Sequence, residues 1–94
     1  MTLSRLKDVF SALANERRLA ILLYLKERGE ANVSDVVEAL NLFQANASQG
    51  LKVLELAGLV SKRREGNRSY YSLTPLAEVI LNSVVLQKAE KGAA

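Results

Sequence analysis

Apolar residues recur at Leu3, Leu6, Phe10 and Leu13, the three-and-four spacing of one helical stripe, and predict a helix from about Thr2 to Leu13 that buries this face. Asn15 is the expected cap of a second helix. Its middle, Leu19 to Leu25, is apolar on every side and is predicted to be central to the core, with Gly29 ending it as a left-handed cap. Ser34 is the expected cap of a short third helix, Asp35 to Leu40, closed by Asn41. A tight connection then leads into a fourth helix, Gln44 to Ala57, with Ala47, Leu51 and Leu54 facing inward and Gly58 as its C-terminal cap. Two short helices across so small a turn predict a helix-turn-helix.

The period changes after Leu59. Val60 to Arg64 and Ser69 to Leu73 read as two strands flanking Glu65-Gly66-Asn67-Arg68, a hairpin with a Gly-Asn turn. Thr74 and Pro75 then supply a cap and a first helical residue that has no amide to satisfy, opening a last helix to about Lys88, with the tail from about residue 90 expected to fray. The expected fold is mostly α with a small β-hairpin, in one domain over residues 1–94.

Composition narrows the chemistry. A chain of 94 residues, 49% apolar and 24% charged, can hold one core but has little surface left for a deep substrate cavity. Without cysteine or histidine it has no disulfide, thiolate nucleophile, imidazole base or usual soft-metal ligand set. Asp35 and Glu38 share a helix face but have ordinary helical neighbours and read as a solvated acidic face, so no enzyme is expected. No apolar run approaches the roughly 18 residues of a membrane span, and the N-terminus lacks a signal-peptide pattern. A cytoplasmic protein with no membrane partner is expected.

The net charge is only +3, but residues 59–73 by themselves carry +3, from Lys62, Arg63, Arg64 and Arg68 against Glu65. Such a basic finger is attracted to duplex phosphates and can enter a minor groove. A charged hairpin tip can equally be a solvated surface that blocks edge-to-edge pairing. Its position after a helix-turn-helix favours DNA. In the fourth helix, Asn46 and Gln49 are candidate base readers, Ser48 and Lys52 candidate phosphate contacts, and Gln44 either; an amide-rich solvent face is the plain alternative. Two residues there break local rules. Gly50 costs a helix interior about 1 kcal/mol relative to Ala, which close approach to DNA or to a neighbouring helix would explain, a tolerated drift being the plain alternative. Phe43 stands where a capping Ser, Thr, Asp or Asn is usual, as a packing staple or as a contact to a partner.

Phe10-Ser11-Ala12-Leu13-Ala14-Asn15-Glu16-Arg17-Arg18-Leu19-Ala20-Ile21-Leu22, Gln44 to Ser48, Leu51-Lys52-Val53-Leu54 and Ala57-Gly58-Leu59-Val60 resemble the ArsR/SmtB family of winged helix-turn-helix repressors. The resemblance covers essentially the whole chain, and Arg64-Glu65-Gly66-Asn67-Arg68 with Tyr70-Tyr71-Ser72-Leu73 resembles the family's wing. It implies a homodimer through the first and last helices, with two recognition helices in successive major grooves of a pseudo-palindromic operator on double-stranded DNA and wings on the flanking DNA. Leu3, Leu6, Phe10, Leu76, Val79, Ile80, Leu81 and Val84 are the expected interface, and Val85 and Leu86 extend the apolar surface of the last helix.

The family's sensors typically use cysteines at the start of the third helix, or histidines and carboxylates on the last. Here the corresponding stretch reads Glu30-Ala31-Asn32-Val33-Ser34-Asp35, and the last helix offers Glu78 and Glu90. Neither set matches Zn²⁺, Cu⁺ or arsenite, so no metal and no cofactor are expected. Phe43 replaces the family's favoured Ser and Gly50 its favoured His, so the sequence read on DNA does not carry over. The expected function is a repressor that binds its operator without metal, relieved, if at all, by an unidentified protein or a small apolar effector. The alternative is a winged-helix interaction or dimerisation module with little specific DNA binding.

Overall fold

The computed structural model describes the backbone of residues 1–93 and the side chains of residues 1–84. In chain order the elements are α1 (Leu3–Leu13), α2 (Glu16–Arg28), β1 (Glu30–Asn32), α3 (Val33–Leu40), α4 (Gln44–Leu56), β2 (Val60–Glu65), β3 (Arg68–Leu73) and α5 (Pro75–Ala93). The mostly helical architecture with a hairpin is as expected. β1 was not anticipated. It pairs antiparallel with β3, Ala31 opposite Tyr71, so the hairpin is part of a three-stranded sheet in the order β1-β3-β2. Three residues are too few to show a strand period, and only the partner strand defines this one.

Local chemistry accounts for most of the boundaries. The Thr2 hydroxyl accepts from the Arg5 amide and the Asn15 side chain from the Arg18 amide, capping α1 and α2. The Arg18 guanidinium then donates to the carbonyls of Ala12 (2.7 Å) and Ser11 (3.1 Å), so a residue in the first turn of α2 also satisfies the open end of α1. α3 starts two residues earlier than predicted, at Val33 rather than Asp35. Its cap is Asn32 rather than Ser34, because Asn32 Oδ1 accepts from the Asp35 amide at 2.8 Å while the Asp35 carboxylate accepts from the Asn32 amide at 3.0 Å, a reciprocal capping box. Asn41, at φ 54, ends it as expected. α4 ends in a Schellman pair, Leu59 N–H to Leu54 O and Gly58 N–H to Glu55 O, with Gly58 at φ +80. The Thr74 hydroxyl caps α5 at the Ala77 amide and donates to Gly58 O at 2.7 Å, tying the start of α5 to the end of α4.

The core is built on α2 and α4. Ile21, Leu22, Leu25, Leu51, Leu54, Leu59 and Val36 are fully enclosed. α2 is not buried all round, however, because Leu19 and Leu23 lie on its solvent side. α1 likewise carries two apolar faces, with Val9 and Ala12 packed inward while Leu3, Leu6 and Phe10 stay exposed within the single chain. Gly50 is enclosed where α4 crosses α2, and a Cβ there would lie 2.9 Å from Ile21 Cδ1. Its reason is helix packing, not access to DNA. α5 passes the end expected near Lys88 and runs through the stretch from about residue 90 that was expected to fray, to Ala93; the side chains of Val85, Leu86 and Glu90 lie outside the described residues.

Candidate nucleic-acid interface

Three residues, Asn41 to Phe43, join α3 to α4 and set the two as a helix-turn-helix. With Ala47, Gly50, Leu51 and Leu54 inward, α4 turns Ala45, Ser48, Gln49, Lys52 and Leu56 to solvent. Gln44 is exposed at its first turn, whereas Asn46 is half-buried at the flank of the stripe. Ala45, absent from the expected contacts, occupies the middle of the exposed face. Its spacing from Ser48, Gln49 and Lys52 marks it, but a lone methyl carries no polar signal. Phe43 takes extended backbone, makes no side-chain cap and is 80% exposed, so it is no staple.

Strand alternation divides the basic finger into two faces. Gly66, at φ +61, is the first central residue of the two-residue turn joining β2 to β3, in the pattern of a type II′ hairpin. Lys62 and Arg64 share the face of Val60 and Tyr71, while Arg63 lies on the other with Tyr70. There Arg63 is engaged by its own protein. Its guanidinium donates to Glu30 at 2.9 and 3.2 Å and to Glu65, and lies 4.9 Å from the centre of the Tyr70 ring. The pairing holds the Glu30 carboxyl below its ordinary value and keeps Arg63 firmly charged. Lys62, Arg64 and Arg68 are exposed and make no ion pair among the described residues. Arg68 borders a cleft of about 510 Å³ between the wing and the first turn of α3, lined also by Asn32, Ser34, Asn67, Ser69 and Tyr71. Burial and the nearby Glu55 raise the Tyr71 phenol pKa, keeping it neutral.

The helix residues expected at a dimer interface do not form one set. Leu3 (84% exposed), Leu6, Phe10, Val79 (67%) and Val84 are free apolar surface. Leu76 and Ile80 are half-buried against the core. Leu81, only 4% exposed, must be withdrawn from the expected interface: it lies four residues after buried Ala77 on the inward stripe of α5 and is part of the chain's own core.

The profile of the bacterial regulatory proteins of the arsR family matches residues 15–62, which run from the cap of α2 through the helix-turn-helix into the wing. The chain belongs to the arsR family. Among arsR-family relatives, the arsenical resistance operon repressor of Bacillus subtilis is 38% identical over 71 residues, 76% of this chain and 68% of that protein. The repressor of the same name from Escherichia coli is 40% identical over 68 residues, 72% of this chain and 58% of that protein, so the chain spans only part of the length of these relatives. A homodimeric winged helix-turn-helix DNA-binding domain from Mycobacterium bovis superimposes with a TM-score of 0.80 at 37% identity, covering 95% of this chain and 82% of the other. HlyU from Vibrio cholerae does so with a TM-score of 0.78 at 32% identity, covering 86% and 88%. Membership of the arsR family makes this chain a DNA-binding transcriptional regulator and not an enzyme.

The described residues at the family's sensor positions do not fit a metal. Glu30 is paired with Arg63, Asp35 with the Asn32 amide and Arg28, and Glu78 with Lys26 at 3.1 Å. Among the described residues no three His, Cys, Asp or Glu lie together as a ligand set, and no helix is long and apolar enough to cross a membrane.

Proposed function

We propose that the chain is a homodimeric repressor that binds a pseudo-palindromic duplex operator without metal, residues 1–94 acting as one DNA-binding unit in the cytoplasm. The observation that carries this reading is the exposed polar stripe of α4 beside a wing whose Lys62, Arg64 and Arg68 make no ion pair among the described residues. Gln44 and Gln49 read base edges, Asn46 contributes from the flank, and Ser48 and Lys52 contact phosphate. Lys62, Arg64 and Arg68 contact the flanking backbone. Arg63, placed with them from the sequence, instead stiffens the wing by fastening β2 to β1 through Glu30. Leu3, Leu6, Phe10, Val79 and Val84 meet their counterparts in the second copy, with Leu76 and Ile80 at the edge. Homodimerisation is supported by the M. bovis domain, whose fold this chain shares. With every described carboxylate at the sensor positions already paired, the effector is a protein or a small apolar molecule rather than a metal.

The test is fluorescence anisotropy of chelator-treated protein on duplexes selected from a random pool, at several salt concentrations. Arg64→Ala and Arg68→Ala should each lower the salt slope by about one, Arg63→Ala should leave it unchanged, and Gln49→Ala should cost about 1–3 kcal/mol and relax one position per half-site. Failure to select any sequence refutes the reading. A severalfold change in affinity on adding Zn²⁺ refutes metal independence.

A further inference from the structure

Phe43 serves neither the helix it precedes nor the core. Its side chain caps no amide of α4, and 80% of its surface is in water, while the preceding Leu42 turns inward to the core. A residue at this position normally accepts a hydrogen bond from the first turn, so the free protein is stabilised less than it would be with Ser or Asn there. The apolar surface of the ring adds a second cost until something covers it.

What covers it is indicated by its neighbours. The next residues along α4 are exposed Gln44, Ala45, Ser48 and Gln49, and between Gln44 and Val53 the only charge is Lys52. An apolar protein surface laid over Phe43 would strand the flanking amides without partners. A base edge in the major groove satisfies both kinds of group, because it presents donors and acceptors together with one apolar group, the thymine 5-methyl. The absence of acidic residues over this stretch removes any repulsion from the phosphates on either side.

We propose that Phe43, with Ala45 on the adjoining exposed face, packs against a thymine methyl in each half-site and makes thymine a requirement at that position. The inference rests on the reading of α4 as the DNA-recognition helix. The ring gives up the cap and offers the methyl more apolar surface than Ser, Thr, Asp or Asn could.

The experiment takes the duplex selected by the wild-type protein and replaces each thymine in turn, symmetrically in both half-sites, by deoxyuridine, which lacks only the methyl. At one position per half-site, affinity should fall about fourfold for each methyl removed. Phe43→Ser should bind the thymine and uridine duplexes equally well while keeping its dependence on Gln49. Serine is a preferred cap, so this variant folds at least as well as the parent. A selected duplex on which no uridine substitution is felt overturns the inference and leaves the DNA reading intact, as does a Phe43→Ser protein with an unchanged thymine-to-uridine ratio. Conversion of the dimer to monomer by Phe43→Ser would assign the ring to a protein contact and overturn it too. A pool that yields no preferred sequence overturns the recognition-helix reading and this inference together.

Discussion

Gly50→Ala sets two effects of known sign against each other. In an exposed helix the change gains about 1 kcal/mol in propensity. At Gly50 the added Cβ would stand 2.9 Å from Ile21 Cδ1, inside any normal contact, and Ile21 is fully enclosed, so its terminal methyl moves only by displacing other core side chains. Overpacking of this kind costs about 1–3 kcal/mol, leaving the single variant between neutral and about 2 kcal/mol less stable than the parent. Ile21→Val removes the obstructing methyl and costs about 0.5–1.5 kcal/mol alone through the void it leaves. Combined, the new Cβ occupies the vacated space, and the double variant should return close to parental stability, a favourable coupling of about 2 kcal/mol at the middle of these ranges. Urea unfolding of all four proteins at one protein concentration measures it, the fixed concentration keeping the contribution of the proposed dimer to apparent stability constant. Additivity within about 0.5 kcal/mol would refute the contact. So would a Gly50→Ala protein stabilised by the whole helix-propensity gain.

The other predictions concern caps, charge and the free apolar faces. Asn32→Ala should lose about 1 kcal/mol, roughly 4–8 °C in Tm, whereas Ser34→Ala should lose almost nothing, since Asn32 holds the cap of α3. Because Arg63 lowers the Glu30 pKa in the folded state, the pair stabilises the protein above the ordinary carboxylate value of about 4.3, and its contribution is lost as pH falls through the lowered value. Glu30→Gln should therefore flatten that part of the acid unfolding profile; an unchanged profile would show that the pair adds nothing. Phe10→Glu touches only exposed surface of the single chain, so a monomer should tolerate it within about 0.5 kcal/mol. In a dimer it should abolish the concentration dependence of Tm and sharply weaken operator binding, which sedimentation and anisotropy would show.

Sequence reasoning located those elements whose ends are governed by adjacent residues. Asn15, Gly29, Gly58 and the Thr74-Pro75 pair each act within one turn of their position, and each stands where it was expected. The Asn32–Asp35 box was also within local reach, but Ser34 offered a competing cap, and only the reciprocal bond decides between them. What escaped depends on distance along the chain. β1 is three residues defined by a partner some forty positions later, and Arg63 left the set of free charges because strand alternation turns it toward Glu30, 33 residues away. Leu81 was misplaced because α5 has apolar residues on several sides, so periodicity could not distinguish its inward stripe from its outward one.

Arg18 touches three parts of the molecule at once. It closes the end of α1, donates its amide to the Asn15 cap of α2, and runs its stem past Gly50, where a Cβ would come within 3.8 Å of its Cγ. In the proposed complex α1, on the side of the second copy, is thereby braced through one side chain and a glycine crossing against α4, the proposed reading helix. On that proposal, a dimer assembled on α1 and α5 acts as a fixed caliper, with the distance between its two reading heads set by the folded chain rather than by the DNA it meets. One base pair inserted at the operator centre moves the far half-site by about 3.4 Å and turns it by roughly 35° about the duplex axis. A hinged dimer could follow that displacement, but a braced one must bend the duplex or release one half-site.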